Sequence, residues 1–229
     1  MRKIFARTQN VKNFITMMNN LQNRADGVPG MALVYGESGL GKTQTILWWA
    51  LKHNAVIIRS TNLMSSRWLL EELSEELGEM PYYRFSDLFR QITNQLIKEP
   101  RVIIVDEVDY LIMDSKVVET LRDIHDKTNS SIVLVGMARA NKKLMRYKHL
   151  YDRFSEILEF KPFTKADITQ IINELCEVKI TDCGIDFIYN QSNRFRQIVK
   201  LIVKSENIAK TNNLSTLDEL VLKEFISEK

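Results

Sequence analysis

Cysteine is scarce in this chain: Cys176 and Cys183 are the only two in 229 residues. They form no C-x-x-C pair and have no histidine nearby, which argues against a zinc site or a disulfide framework and fits reduced thiols in a cytoplasmic protein. His53, His125 and His149 are also too scattered to suggest a metal site. No apolar run approaches the roughly 18 residues of a membrane span, so no membrane partner is expected. The first residues, Met1-Arg2-Lys3-Ile4-Phe5, lack the apolar stretch and cleavage site of a signal peptide. Internal repeats and low-complexity segments are missing. Charge of one sign is not in large excess either, since a net +3 is too small to imply a nucleic-acid partner by itself. What remains, 45% hydrophobic and 27% charged residues, is the composition of an ordinary globular chain with room for one α/β domain and a small appendage.

Against this plain background one stretch stands out. Gly36-Glu37-Ser38-Gly39-Leu40-Gly41-Lys42-Thr43 fits G-x-x-x-x-G-K-[ST], the phosphate-binding loop or Walker A pattern. Its glycines let successive backbone N–H groups turn toward an anion, and Lys42 adds a mobile positive charge. Thr43 offers a hydroxyl to Mg²⁺ at the start of a helix whose dipole favours phosphate. The apolar run Met31–Tyr35 before the loop reads as a buried strand. Thr45 to Leu51 after it reads as a helix, so the loop lies where the chemistry requires. ATP with Mg²⁺ is the expected ligand, held by residues 36–43 and Thr45.

Along the chain, apolar spacing predicts a helix over residues 8–24, then short strands at 31–35, 55–59, 102–105, 131–135 and 157–160. Helices are predicted at 69–77 and from Ser86, as the capping residue, to about Lys98. Short apolar strands alternating with helices indicate a parallel sheet covered on both faces. After Pro162 the strand signals stop, and helices are expected near 164–175, 184–191, 195–210 and 216–226. The expected organisation is therefore a Rossmann-like α/β domain over residues 1–162, followed by a small helical lid over 163–229.

The apolar strand Val102–Val105 ends in Asp106-Glu107. In a phosphate-loop ATPase the first carboxylate holds the Mg²⁺ shell with Thr43, and the second orients the attacking water. Arg153, just before the fifth strand, is either a solvated charge or an arginine finger reaching the phosphate of a neighbouring subunit. Arg196, opening a lid helix, is placed to touch the nucleotide of its own subunit. Arg194, two residues away, competes for that role.

Together these residues resemble the AAA+ ATPase pattern over roughly residues 5–210. Within that superfamily, Ile132-Val133-Leu134-Val135-Gly136-Met137 and Tyr151-Asp152-Arg153-Phe154, separated by a basic helix, are similar to the transposition regulators of the phage Mu B and TnsC kind. The resemblance implies a bacterial or phage-encoded protein that binds duplex DNA when loaded with ATP. It also implies assembly into helical filaments or rings, and recruitment and stimulation of a partner transposase. Two departures accompany it. AAA+ proteins often end the fourth strand with a polar side chain, whereas Gly136-Met137-Ala138 supplies none; Arg139 or Asn141 would have to substitute, and hydrolysis is expected to be slow. The chain also begins almost directly at the ATPase region, so DNA contact is expected from that domain itself.

Two basic segments could make the contact. Residues 139–149 carry Arg139, Lys142, Lys143, Arg146, Lys148 and His149 without an acid, which suits a solvated helix face or a subunit interface as well as DNA. Tyr82-Tyr83-Arg84-Phe85-Ser86, with Arg90 beyond and Arg67 on the preceding helix, mixes aromatic and basic groups on a helix–helix loop. Nothing resembles a base-reading helix, so contacts to phosphate and tolerance of sequence are expected. Two rival functions share the nucleotide motifs: a replicative-helicase loader acting on single strands, and a nucleotide-gated signalling or defence switch that binds protein.

Overall fold

The computed structural model describes residues 1–2 and 4–226. They form two compact units. One comprises residues 14–36 and 42–160; the other comprises residues 1–13, 37–41 and those from 161 onward. Helix α1 (Gln9–Gln22) runs from the second unit into the first.

The first unit is built on five parallel strands, β1 (Met31–Gly36), β2 (Val56–Arg59), β3 (Ile103–Asp106), β4 (Ile132–Gly136) and β5 (Phe154–Phe160), in the order β2-β3-β4-β1-β5. Continuous apolar runs make β1, β3 and β4 interior strands, and nearly every residue of them is buried. Helices α2 (Lys42–His53), α3 (Ser66–Glu76), α4 (Phe85–Lys98) and α5 (Ser115–Thr128) connect the strands. Leu69, Leu70 and Leu73 of α3, Leu88 and Ile92 of α4 and Leu121 and Ile124 of α5 pack on one face of the sheet. A 3₁₀ helix (Val108–Met113) follows β3, and two short helices, α6 (Ala138–Leu144) and α7 (Lys148–Tyr151), lie between β4 and β5. The basic segment is thus broken in two, not one helix.

The order of strands decides where a ligand can sit. The chain leaves β1 for β2, three positions away on the far side of β4 and β3, so loops at the C-terminal ends of β1 and β3 face a common crevice.

In the second unit, α8 (Lys165–Leu175), α9 (Asp182–Gln191), α10 (Phe195–Thr211) and α11 (Glu219–Ile226) enclose a separate core of Ile168, Ile172, Ile188, Ile198, Ile202 and Leu222. Thr164 and Asp167 close a capping box on α8. Contrary to the expected end of strands after Pro162, two two-residue strands, β6 (Lys179–Ile180) and β7 (Thr216–Leu217), pair in parallel. They are too short for a periodic signal. A second correction concerns α4. It starts two residues earlier than expected, at Phe85, with Arg84 and not Ser86 in the capping position and no side-chain cap bond, so Ser86 lies inside the first turn.

Candidate nucleotide site

β1 ends at Gly36 and α2 starts at Lys42, with the turn between them formed by residues 37–41. Gly39 and Gly41 hold φ at +82° and +86°, a region that side chains disfavour, which is why glycines fall at those two points. Lys42 Nζ donates to the Gly36 carbonyl at 2.8 Å. Burial presses the pKa of the ammonium down, while the negative charges of Asp106 and Asp109 press it up. Leu40 and Thr45 have buried side chains, so Leu40 contributes backbone to the loop and Thr45 anchors α2.

Thr43 and Asp106 meet. The Thr43 hydroxyl donates to Asp106 Oδ2 at 2.8 Å, joining a hydroxyl and a carboxylate on one small patch. That pair of oxygen donors fits Mg²⁺, which prefers hard oxygen ligands and keeps several waters. Asp106 is buried, and its Oδ1 accepts the Glu107 backbone N–H at 2.9 Å, which fixes the carboxylate's orientation.

Glu107 adopts a left-handed backbone, φ 57° and ψ 35°, at the start of the 3₁₀ helix. Such a conformation costs a non-glycine residue on the order of 1–3 kcal/mol and is held only where neighbours fix it. The neighbours come from β2. The register sets Arg59 beside Asp106. Buried Ser60 donates its hydroxyl to the carbonyls of Asp106 and Glu107, at 2.9 and 2.6 Å. Arg59 Nη2 then pairs with Glu107 Oε1 at 2.5 Å, and this bond raises the pKa of the guanidinium. Sequence reasoning missed Arg59 and Ser60 as site residues. Only the register between β2 and β3 could have revealed them.

Asp109, in the 3₁₀ helix, is a second residue the sequence reading passed over. Its Oδ2 accepts the backbone N–H of Met137, one residue past β4, at 2.6 Å.

The other expected residues are distributed as follows. Within the second unit, Arg194 pairs with Glu37 at 2.8 Å, and the backbone N–H of Phe195 donates to the Gly39 carbonyl at 2.7 Å. Arg194, and not Arg196, is therefore the arginine brought to the phosphate loop; Arg196 is exposed in the first turn of α10. Ser38 is exposed on the loop. Arg153 precedes β5 and pairs with Asp126 of α5 at 3.3 Å, while its Nε is buried with no hydrogen-bond partner. From the first turn of α3, Arg67 donates to the Tyr83 carbonyl on the α3–α4 connection at 2.6 Å, and its guanidinium lies 5.5 Å from the centre of the Tyr83 ring. Tyr83 is 89% exposed, and Arg84 and Ser86 beside it are exposed too. Arg67 also pairs with Glu71, and Arg90 with Asp87. Lys142 is exposed and Lys143 half-buried on α6, remote in sequence from that cluster.

A parallel sheet with a phosphate loop after the interior strand β1 and an Asp-Glu pair at the end of β3 defines a phosphate-loop nucleotide-binding domain. A family model described as an AAA domain matches residues 25–144, and the chain belongs to that family.

Among its relatives, a Staphylococcus aureus "potential ATP-binding protein" is 32% identical over 52% of this chain and 38% of its own length. The Mu-like prophage FluMu DNA transposition protein B of Haemophilus influenzae is 30% identical over 60% of this chain and 50% of its own length. The similarity to transposition regulators expected from residues 132–137 and 151–154 is thus found. The chain spans half or less of the length of these two relatives. The fold is like that of the Aeropyrum pernix ORC2 protein solved with ADPNP and ADP. That likeness has a TM-score of 0.72 and 16% identity and covers 100% of this chain and 70% of that one. Among the described residues no helix is long and apolar enough to cross a membrane.

Proposed function

We propose that this chain is an ATP-hydrolysing, sequence-tolerant DNA-binding AAA+ protein that assembles on duplex DNA, selects target sites and activates a partner transposase. The observation that carries the nucleotide half is the bond between Thr43 and Asp106 beneath the phosphate loop. ATP supplies the phosphoanhydride bond. The backbone N–H groups of residues 36–43 and the Lys42 ammonium would hold its phosphates, and Thr43 with Asp106 would hold Mg²⁺. Glu107, once released by Arg59, orients water, and Arg153 of one subunit serves the site of its neighbour. In this reading residues 1–162 are the ATPase domain and residues 163–229 the lid, in which Arg194 takes the place expected of Arg196.

The DNA half is supported by the named function of the Haemophilus relative and by the Arg67–Tyr83–Arg84 cluster. Arg67 is fixed by the Tyr83 carbonyl and ring, so a planar donor is presented with little entropy left to lose. One such cluster is weak. Repeated along an assembly of subunits, it becomes multivalent. The same relative supports a transposase as the partner, and a cytoplasmic setting belongs to this reading. The test of the whole reading is retention of a duplex by the protein with ATP analogue and its release with ADP. Preference for single strands would favour a helicase loader, and absence of DNA binding would favour a protein-binding switch.

A further inference from the structure

The N-terminal ends of the strands, opposite the nucleotide crevice, carry a cavity of about 400 Å³. It lies within the first unit, walled by residues 22 and 24–28 around the turn after α1, residues 100–102 ahead of β3 and residues 129–131 ahead of β4. Two guanidiniums, those of Arg24 and Arg101, belong to its wall, and among the described residues neither pairs with a carboxylate. Arg24 is built in. Its terminal nitrogens donate to the carbonyls of Leu21 and Asn129 at 2.9 and 2.6 Å, to Asn129 Oδ1 at 2.7 Å and to the Ser131 hydroxyl at 2.8 Å, all of them neutral acceptors. Gly30 makes room for it, since a Cβ there would lie 2.4 Å from Arg24 Cζ. Arg101 donates to the Asn54 carbonyl, to Asn54 Oδ1 and to the Glu76 carbonyl, which leaves two of a guanidinium's five N–H groups for another acceptor. The Ser131 hydroxyl accepts from Arg24 and keeps its own hydrogen to donate. Ser130 beside it is buried, and its hydroxyl has no hydrogen-bond partner among the described residues. A buried hydroxyl left without a partner is costly and calls for a reason.

We propose that this cavity binds a small phosphate ester, with Arg24 as a fixed charge and Arg101, Ser130 and Ser131 as donors to the phosphate oxygens. Two guanidinium charges match the roughly −1.5 to −2 of a phosphate monoester better than the single charge of a carboxylate. The volume exceeds that of a bare ion and falls among small-molecule sites, which span roughly 300–1,000 Å³. Asp26 also lines the wall, and as the one acid among the lining residues it would repel a continuous polyanion such as a DNA strand. A small ester has a single phosphate to keep away from that carboxylate. Arg24 is held by its four bonds before any ligand arrives, so binding orders little that is not already ordered. None of these residues belongs to the phosphate loop, and the inference stands apart from the ATPase reading.

Amide shifts in ¹H–¹⁵N spectra of the full chain test it, because they report the two ends of the sheet separately. Gly27, Ser130 and Ser131 report the cavity, and Gly39 and Gly41 report the phosphate loop. The probes are inorganic phosphate and glycerol 3-phosphate, with chloride and acetate at the same ionic strength as controls and a short DNA duplex as the rival source of phosphate. Both phosphate probes should shift the three cavity amides saturably, and the controls should not. Arg101→Gln should weaken that binding about tenfold or more through loss of charge-assisted bonds. Ser130→Ala should weaken it several-fold while thermal stability stays at or above that of the parent, since an unpartnered buried hydroxyl is removed. Because Arg101 also braces Asn54 and Glu76, Ser130→Ala decides the matter if Arg101→Gln fails to fold. The absence of saturable shifts at the cavity amides would overturn the proposal, as would an equal response to chloride or acetate. Parental affinity in Ser130→Ala would overturn it too. A response to the duplex but not to glycerol 3-phosphate would overturn the assignment to a small ester.

Discussion

Arg59, the last residue of β2, and Glu107, the first residue past β3, form a 2.5 Å ion pair that holds the expected water-orienting carboxylate on a neighbouring strand. Both side chains are partly exposed, so the pair is worth little as a stabilising contact. Its consequence is positional. While Arg59 holds Glu107, that carboxylate is oriented by the guanidinium rather than by water. Arg59→Ala should therefore raise basal ATP hydrolysis several-fold with nucleotide affinity unchanged, as measured by phosphate release. A fall in hydrolysis would show that Arg59 supports Glu107 instead of restraining it. Glu107→Gln should bind ATP normally and accumulate the assembled state, because only the carboxylate's basicity is lost.

The phosphate loop gives a second prediction. Lys42→Ala removes the one mobile cation of the loop and should abolish detectable ATP binding in a fluorescence assay. Asp106→Asn keeps the hydrogen bond from Thr43 but lowers the charge facing a divalent cation. Nucleotide binding in that variant should lose most of its dependence on Mg²⁺. Undiminished ATP affinity in Lys42→Ala contradicts the site.

Arg153 is held by Asp126 of its own chain at 3.3 Å. If it serves a neighbouring subunit, Arg153→Ala should lower hydrolysis and assembly while each subunit still binds ATP. Mixing Arg153→Ala with Lys42→Ala subunits should partly restore turnover, since each supplies what the other lacks. No rescue at any mixing ratio argues against a shared site.

His125 predicts a pH dependence of stability. Its Nε2 accepts the Gly30 N–H at 3.0 Å, so the proton resides on Nδ1, which donates to the Ser130 carbonyl at 2.9 Å. Burial is the main cause of a lowered pKa, and the nearby Arg24 and Arg153 add to it. In the unfolded chain the imidazole takes up a proton below about pH 6.5, whereas the folded one resists until lower pH. Stability should therefore fall as pH drops below about 6.5. His125→Gln should flatten that part of a urea-midpoint profile, and an unchanged slope would remove His125 as the cause.

The nucleotide loop and the Asp-Glu pair were legible because their chemistry is local: consecutive residues, with glycines where the backbone turns left-handed. Four of the five strands were legible as uninterrupted apolar runs such as Ile132–Val135, whereas β5 mixes polar and apolar residues and begins at Phe154, three residues before the expected start. The roles of Arg59, Ser60 and Asp109 were not, because each depends on which strand lies beside which. Arg59 meets Glu107 only through the parallel register of β2 and β3. Asp109 meets Met137 only because β4 enters between β3 and β1. The choice between Arg194 and Arg196 was likewise beyond periodicity, since it turns on the capping geometry of α10 and on Glu37. Ser86 has the residue type of a cap, but the helix begins before it.

Contact with DNA through Arg67, Tyr83 and Arg84 makes a prediction about salt. Each phosphate neutralised should contribute about −0.9 to the slope of log affinity against log salt on a B-form duplex. Arg84→Ala should weaken binding to all sequences alike, reduce that slope and leave ATP affinity intact. Tyr83→Ala should weaken binding less, since it removes the ring beside the Arg67 guanidinium but keeps the carbonyl to which Arg67 donates. An effect confined to one sequence would contradict phosphate contact.

The central claim, that ATP drives assembly on duplex DNA, is tested most directly by sedimentation of the protein with several unrelated duplexes in ATP analogue and in ADP. The account predicts large protein–DNA complexes with the analogue, of similar size on every duplex, and their collapse in ADP. Equal binding with either nucleotide, or no complex with the analogue, would contradict it.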